Sequence, residues 1–347
     1  MARALEWTQS ELEGGVRLLV APMPGRQSVA ATVLVGVGSR WESRNQAGIS
    51  HFLEHIVFKG TERFPNSRAV SQSIEGIGGS LNASTDKEAT VFWARVPREH
   101  TERALEVLFD LAFAPRIEAG DVGRERQVVL EELSMYLDQP SDLAQMLFDS
   151  LIWGSHPLAR DPAGTRRSLA GIGAEELHAY RRGHYLAPRV VIALAGGVEP
   201  GPAQAAVARR LGLQAPGAGP AQQPDDGGVP APLVPEALAR ARRRRGEQVH
   251  LLLGVRCASY LDPERWTLDV LNTVLGEGMS SRLFLELRER RGLAYDVHSY
   301  AARHHDSGAF GIYLATQPGR EQEAVTAALA QVRRLVERPI GPSELRR

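Results

Sequence analysis

The sequence predicts an α+β protein with two homologous domains, each a mixed β-sheet flanked by helices. Val-rich segments alternate with amphipathic helical segments, one set of features recurs at a constant spacing, and a Pro-, Gly- and Ala-rich stretch separates the two occurrences. With 347 residues, the chain is long enough for two domains with a core each. We expect a first domain at residues 1–213, a linker at 214–239 and a second domain at 240–347.

The first half begins with two predicted strands that we expect to be neighbours in a β-meander, GVRLLVAPMP and SVAATVLVGVGSRWE. A helix containing HFLEH follows, with Asn45 as its expected N-cap and Gly60 just beyond its end. A short helix then ends at Gly78-Gly79, and LNASTDKEATVFWARVP reads as a turn and one strand. Four further helices and the buried strand RVVIALAGGV complete this half, the helices being EHTERALEVLFDLAFAP, DVGRERQVVLEELSMYLDQP, LAQMLFDSLIWG and AEELHAYRRGHY.

The second half repeats features of the first at an offset of 218 residues, which indicates a duplicated domain. The matching pairs are Gly36 with Gly254, Gly60 with Gly278, and Phe92 with Phe310. A full copy of the first domain would extend to roughly residue 415, so we expect the second domain to be incomplete at its C-terminus.

HFLEH places two imidazoles and a carboxylate on one turn of its helix. His51 and His55 are four residues apart and differ by ~40° around the helix axis, so both can reach one metal ion. Glu54 lies ~60° to the other side of that face, near the metal without having to bind it. The order His-x-x-Glu-His is the inverted zinc-peptidase motif, in which the Glu is a general base. The alternative is accidental spacing on a solvated helix.

The duplicated half lacks this constellation. At the 218-residue offset, the three positions become Asp269, Asn272 and Thr273. We therefore expect one half to hold the site and the other to be non-catalytic.

A zinc site needs at least one more protein ligand and an open position for water. The chain has one cysteine, so the candidates are histidine and carboxylate side chains. The acidic helix offers Glu125, Glu131 and Glu132. Glu131 and Glu132 are ~100° apart, so only one can point at a given site, whereas Glu125 and Glu132 share a face. The alternative is a charged surface helix with Val128, Leu130 and Leu133 on its apolar side.

The chain resembles the insulinase/pitrilysin family of inverted-motif zinc metallopeptidases, in the bacterial branch similar to the mitochondrial processing peptidase. The segments that carry the resemblance are AGISHFLEHIVFKGT, GGSLNASTDKEAT, RERQVVLEEL, HPLARDPAGT and GMSSRLFLELRERRGLAY. It implies a processing-peptidase-like metallohydrolase fold with one Zn²⁺ per chain. In that family the third ligand lies 77 residues after the second His, which is Glu132 here, and a supporting acidic residue seven positions earlier corresponds to Glu125.

The same resemblance implies substrate-contacting residues. The family adds extended peptides to the edge of a strand, whose start here contains Asn82 and Ala83. In relatives an Arg and a Tyr at the spacing of Arg288 and Tyr295 reach the substrate carbonyl, and Tyr295 could donate to the oxyanion. The alternatives are an ordinary edge strand and a packed helix-to-strand turn at Gly292.

We therefore expect a zinc-dependent endopeptidase, a hydrolase of small or unfolded peptides, in which Glu54 activates the zinc-bound water. Glu125 would orient a ligand or tune Glu54. The alternative is a catalytically weak or inactive scaffold subunit of the same family. A homodimer or a partner subunit is compatible with either reading.

The bulk composition argues against nucleic-acid and membrane partners. The formal charge is +0, from 41 basic and 41 acidic residues. We interpret the basic run at residues 240–245 as a solvated segment, because no stacking aromatics accompany it. The N-terminus has no signal-peptide core and no window is apolar enough to span a bilayer, so we expect a cytoplasmic protein. Six other histidines lack ligand spacing, and we expect them on the surface or in loops: His156, His178, His184, His298, His304 and His305.

Overall fold

The computed structural model of the protein describes residues 6–220 and 238–346. The chain divides into two compact units. Unit 1 consists of Met1–Ser134 and Arg160–Asp226, and unit 2 of Met135–Ala159 and Gly227–Arg347. Most of the predicted linker, residues 221–237, lies outside the described residues.

Unit 1 contains a six-stranded sheet among its described residues. Its strands are β1 (Thr8–Glu11), β2 (Arg17–Pro22), β3 (Ser28–Val35), β4 (Ser80–Thr85), β5 (Thr90–Pro97) and β6 (Val190–Gly196), in the order β1-β2-β6-β3-β5-β4. The pair β2–β6 is parallel and the other pairs are antiparallel. The predicted meander was wrong, because the buried strand β6 inserts between β2 and β3. The predicted turn and single strand around residue 80 form a hairpin, β4–β5, with a loop at residues 86–89.

The six helices predicted for the first half occur in the predicted order, and the structure has two more, at Arg166–Ala170 and Pro200–Leu213. Together they are α1 (Ile49–Val57), α2 (Ser67–Glu75), α3 (Thr101–Phe113), α4 (Ala119–Asp138), α5 (Pro140–Ile152), α6 (Arg166–Ala170), α7 (Ala174–His184) and α8 (Pro200–Leu213). Short 3₁₀ turns lie at Glu13–Gly15, Ser39–Trp41, Arg44–Gln46, Arg98–His100, Pro157–Ala159 and Ala187–Arg189. Asn45 belongs to one of these turns, so its predicted role as the N-cap of α1 was wrong.

Helices α1, α3 and α8 contact the sheet of unit 1. Strand β3 shows the reason in its sequence, because every second side chain is buried: Val29, Ala31, Val33 and Val35. From α1, the fully buried apolar side chains are Ile49, Phe52, Leu53, Ile56 and Val57. The helix that carries the HFLEH motif is thus anchored in the main core of unit 1.

Unit 2 contains an antiparallel three-stranded sheet among its described residues. Its strands are β7 (Val249–Cys257), β8 (Ala294–Arg303) and β9 (Gly308–Thr316), in the order β7-β9-β8. The helices are α9 (Arg265–Gly276), a π-helical segment (Phe284–Arg290), α10 (Glu321–Glu337) and α11 (Pro342–Leu345). Leu275, Leu283, Leu287 and Leu314 contribute to its core.

Helix α5 belongs to unit 2, which differs from the predicted boundary at residue 213. Phe148 packs in a cluster with Trp153, Leu158 and Ala309 of β9, and the Tyr300 hydroxyl donates to Gln145 Oε1 at 2.7 Å. These contacts bury the apolar side of α5 against the second sheet. Residues 135–159 therefore pack with the residues of unit 2 that come later in the sequence, 227–347.

His156 and His304 lie in loops of unit 2, as predicted, but both are buried there rather than exposed. The Leu158 N–H donates to His156 Nδ1 at 3.2 Å, and the His304 ring meets the Trp153 ring edge-on with centroids 5.3 Å apart. Each histidine therefore contacts a member of the apolar cluster between α5 and the sheet, Leu158 for His156 and Trp153 for His304. Their environment depends on long-range packing that local sequence does not reveal.

The duplication is visible in the sheets, since the order β7-β9-β8 repeats β3-β5-β4. The hairpins match at the 218-residue offset, because Asn82 pairs with Trp93 and Tyr300 pairs with Gly311. The remaining pair of strands, β3 and β7, does not match at this offset. Phe92 pairs with Val33, whereas Phe310 pairs with Val255, an offset of 222 residues. The Gly36–Gly254 match was therefore wrong, although the duplicated domain stands. Helix α9, which carries Asp269, Asn272 and Thr273, contains no histidine.

Within residues 6–220 and 238–346, every helix is too short or too polar to cross a bilayer.

Gly254 marks a close approach in unit 2 and generates a test of the α5 placement. A Cβ there would lie 2.3 Å from the Phe310 carbonyl oxygen and 2.6 Å from the Phe148 ring. We expect Gly254→Ala to destabilise the protein by about 1–3 kcal/mol through overpacking, as a loss in calorimetric melting temperature. Gly123→Ala is the control, because a Cβ on this exposed residue of α4 meets nothing within 4 Å and should stabilise the helix. Equal effects of the two substitutions would contradict the packing.

Candidate metal centre

Helix α1 begins without a capping side chain of its own. Its N-cap is Gly48, with φ +93°, and the buried Glu42 supplies the missing acceptors from outside the helix. The Glu42 carboxylate accepts hydrogen bonds from the Gly48 N–H at 2.8 Å and the Ser50 N–H at 2.9 Å. A carboxylate at this end also suits the helix dipole. Sequence reasoning missed Glu42, because a cap six residues upstream has no local signature.

The other end of α1 is held by the turn that follows it. The Thr61 hydroxyl donates to Asp110 Oδ2 on α3 at 3.1 Å and accepts from the Phe64 N–H at 3.0 Å. Thr61 and Asp110 are both almost fully buried. Between the ends, Ser50 Oγ lies 2.9 Å from the Tyr180 hydroxyl on α7. The helix is thereby fixed at three points to three other parts of unit 1.

Helix α4 brings the acidic residues to α1. Its apolar face includes Val122, Val129 and Leu133, and the Arg126 guanidinium donates to the carbonyls of Leu169 and Ile172, at 3.1 and 2.7 Å. Glu125 is buried and Glu132 half-buried, whereas Glu131 is exposed. The structure therefore separates the three candidate carboxylates as the family resemblance implies.

His51, His55 and Glu132 converge on one point. His51 Nε2 and His55 Nε2 are 3.2 Å apart, and Glu132 Oε2 lies 3.7 Å from the first and 3.3 Å from the second. A tetrahedral ion with bonds of ~2.0–2.1 Å to nitrogen and oxygen has ligand atoms ~3.3 Å apart. In residues 6–220 and 238–346, this is the one group of His, Cys, Asp or Glu side chains whose ligand atoms come close enough to share an ion. The donor set and its spacing fit a zinc ion.

The protonation of His51 also suits metal binding. Burial and, to a smaller extent, the neighbouring His55 lower the pKa of His51 to about 4, although Glu132 opposes the shift. His51 is therefore neutral near pH 7, with a lone pair free on one ring nitrogen. His55 Nδ1 lies 3.0 Å from Glu125 Oε1, which favours the tautomer with its proton on Nδ1 and its lone pair on Nε2.

Glu54 lies beside the converging ligands and is half-buried. Burial raises its pKa above the ordinary value of a glutamate, whereas Thr85 at the end of β4 and the charge of His55 act in the opposite direction. The Glu132 carboxylate raises it again. A carboxylate whose pKa lies closer to neutrality is better suited to exchange a proton.

Strand β4 lies at the edge of the sheet and contacts α1. An edge position is required if a peptide substrate is to pair with β4 as an additional strand. Asn82 is exposed, Ala83 is nearly buried, and Asn82 Oδ1 accepts the Ala83 N–H at 2.9 Å. A peptide pairing at this point would replace that side-chain acceptor with a backbone carbonyl. The substrate role of both residues stays a prediction.

Arg288 and Tyr295 lie together on the surface of unit 2. The Arg288 guanidinium lies 5.4 Å from the centroid of the Tyr295 ring and 5.0 Å from that of Phe284. Tyr295 is 71% exposed. The two residues are thus neighbours, and their contact with substrate stays a prediction.

Comparison with known proteins identifies the family to which this fold belongs. Residues 17–166 match the family described as Insulinase (Peptidase family M16), and residues 171–347 match the Peptidase M16 inactive domain. The chain is 37% identical over 95% of its length to an uncharacterized zinc protease of Mycobacterium leprae, of which it covers 74%. It is 36% identical over 93% of its length to the uncharacterized zinc protease YmxG of Bacillus subtilis, of which it covers 77%.

Solved structures share the fold. A structure titled as the peptidase M16 inactive domain from Pseudomonas fluorescens superposes with a TM-score of 0.90 at 22% identity, covering 98% of this chain and 81% of that one. A protease from Helicobacter pylori gives a TM-score of 0.88 at 22% identity, covering 98% and 82%. The fold and the site define a member of a peptidase class with two related α+β domains. The chain belongs to the insulinase family, peptidase family M16.

Adjacent glutamates on α4 provide a matched test of the centre. We expect Glu132→Gln to weaken zinc binding at least ~10-fold, because an amide oxygen replaces a charged ligand atom. The exposed Glu131→Gln should bind zinc like the unmodified protein. Competition with a chromogenic chelator measures both affinities. Equal losses, or a loss confined to Glu131→Gln, would contradict the assignment.

Glu42 should make stability depend on pH. Burial raises the pKa of Glu42 to about 7, although the N–H groups of Ser50 and Gly48 oppose the shift. The folded protein then holds this proton more tightly than the unfolded chain, whose glutamate titrates near 4.5. The free energy of unfolding should therefore fall by about 3 kcal/mol as the pH rises from 4.5 to 7 and then level off.

Urea unfolding at pH 5.5 and pH 8 tests this effect. Glu42→Gln should lose most of the fall between the two pH values, whereas Glu75→Gln, an exposed control, should keep it. A pH dependence unchanged by Glu42→Gln would show that another group is responsible.

Proposed function

We propose that the protein is a zinc-dependent endopeptidase that hydrolyses small or unfolded peptides, with one zinc ion per chain. The convergence of two imidazoles and a carboxylate within 3.7 Å, next to the half-buried Glu54, is the observation that carries the proposal. The similarity to zinc proteases of Mycobacterium leprae and Bacillus subtilis supports both the metal and the reaction.

His51, His55 and Glu132 would hold the ion. When bound, zinc supplies a Lewis acid that polarises a peptide carbonyl and makes a water molecule more acidic. The protein's own side chains would carry out the proton transfers. Glu54 would accept a proton as water attacks the carbonyl and would deliver it to the departing amide nitrogen. Its raised pKa supports this exchange.

Substrate binding would use the edge of β4. Backbone pairing to an edge strand accepts many sequences, which suits a peptidase of unfolded chains. Asn82 and Ala83 would contact the peptide there, and Arg288 and Tyr295 would contribute from the second domain. Glu125 would act through His55 rather than on the substrate.

The competing function is a family scaffold that binds zinc without cutting peptides. A quenched fluorescent peptide library separates the two, with Glu54→Gln as the decisive variant. We expect that substitution to leave zinc binding intact and to lower the cleavage rate by about 10²–10⁴-fold, because it removes the general base.

Glu62→Gln, an exposed substitution just beyond α1, is the control and should cleave at the normal rate. If the unmodified protein binds zinc at one ion per chain and cuts no peptide of the library, the scaffold is the better description. If Glu54→Gln cuts as fast as the unmodified protein, Glu54 is not the base.

A further inference from the structure

Lysine is rare in this chain, and one of its lysines lies at the metal centre. Of 41 basic residues, only Lys59 and Lys87 are lysines, and the others are all arginines. Lys87 lies in the β4–β5 loop, whereas Lys59 follows α1 by two residues and comes four residues after His55. A chain that uses arginine almost everywhere else carries the smaller cation at this point.

Lys59 completes a chain of contacts that ends at the proposed ligands. Its ammonium forms an ion pair with Glu125 Oε2. The second oxygen of the same carboxylate, Oε1, lies 3.0 Å from His55 Nδ1. Glu125 is only 5% exposed, and a buried carboxylate needs a compensating cation and filled hydrogen-bond positions. Lys59 supplies the compensating charge at Oε2, and His55 Nδ1 fills the hydrogen-bond position at Oε1.

The division of the two oxygens explains why a lysine suits this position. An ammonium is a compact point charge that can donate to one carboxylate oxygen and leave the other free. A guanidinium prefers to bind both oxygens of a carboxylate side by side. An arginine at position 59 would compete with His55 for Oε1, so it would supply charge but disturb the orientation of the ligand.

We propose that Lys59 is a positioning residue of the metal centre. It fixes Glu125 so that Oε1 meets His55 Nδ1 and the Nε2 lone pair of His55 points at the metal position. The role rests on the proposed zinc site and extends it to a residue that contacts neither metal nor substrate. We therefore expect that an arginine at position 59 cannot replace Lys59 without a loss of zinc affinity.

Zinc affinity is the first readout. We expect Lys59→Met to bind zinc about 10–100-fold more weakly than the unmodified protein, the range for loss of a group that supports a ligand. Lys59→Arg should also bind more weakly, despite keeping the charge. Lys87→Met is the matched control and should retain the normal affinity. Zinc affinity unchanged in Lys59→Met would overturn the proposal.

Chemical rescue separates the ammonium from simple packing. Lys59→Cys is made in a Cys257→Ser background, which removes the one native thiol. Alkylation with bromoethylamine rebuilds an ammonium at nearly the length of lysine, whereas iodoacetamide adds a neutral amide. We expect the aminoethylated protein to regain zinc affinity and the amide to leave it weak. Equal recovery with both reagents would overturn the proposal. Both products derive from one folded preparation, so a folding defect does not decide the result.

A metal-free measurement keeps this inference distinct from the proposed function. Long-range ¹H–¹⁵N spectra of the apo protein at pH 8 report the His55 tautomer. We expect the Nδ1-protonated form in the unmodified protein and in Lys87→Met, and a shift towards the other tautomer in Lys59→Met. If the unmodified protein binds no zinc, the zinc site fails while these spectra still test Lys59. An identical His55 tautomer in Lys59→Met would overturn the positioning role.

Discussion

The orientation of helix α1 is the constraint on which the centre depends. A helix of nine residues is not stable alone, so contacts outside it must set its position. Glu42 caps its first N–H groups, Thr61 in the turn that follows the helix bonds to Asp110, and Ser50 bonds to Tyr180. A rotation of one residue, ~100°, would turn both imidazoles away from Glu132. The buried polar residues around α1 thus determine whether three ligand atoms can meet.

The same logic applies to the side chains themselves. Two imidazole nitrogens and a carboxylate oxygen within 3.7 Å of one another all present lone pairs to one point. His55 is held in this orientation by Glu125, which is in turn paired with Lys59, and the His51 side chain is largely buried. Such preorganisation lowers the entropic cost of binding an ion. Glu54 lies beside these ligands, and its partial burial raises its pKa above the ordinary value of a glutamate.

Local sequence patterns predict the helices and strands near the site but not how they assemble. Helix geometry alone predicts that His51 and His55 share one face. The choice of Glu132 over Glu131 depended on the family resemblance, and the exposure of Glu131 in the structure agrees with that choice. The insertion of β6 beside β2 and the burial of His156 depend on contacts distant in sequence. The roles of Glu42 and Lys59 were not predicted for the same reason, because no periodic pattern in the local sequence indicates the residues that they contact.

Zinc X-ray absorption spectroscopy tests the central claim, that α1 and α4 together form one metal centre. With one equivalent of zinc, we predict a first shell of nitrogen and oxygen at about 2.0–2.1 Å, outer-shell scattering from two imidazoles, and no sulfur. A sulfur contribution at about 2.3 Å would place the ion at Cys257, and absence of imidazole scattering would place it away from His51 and His55. Either result would contradict the account.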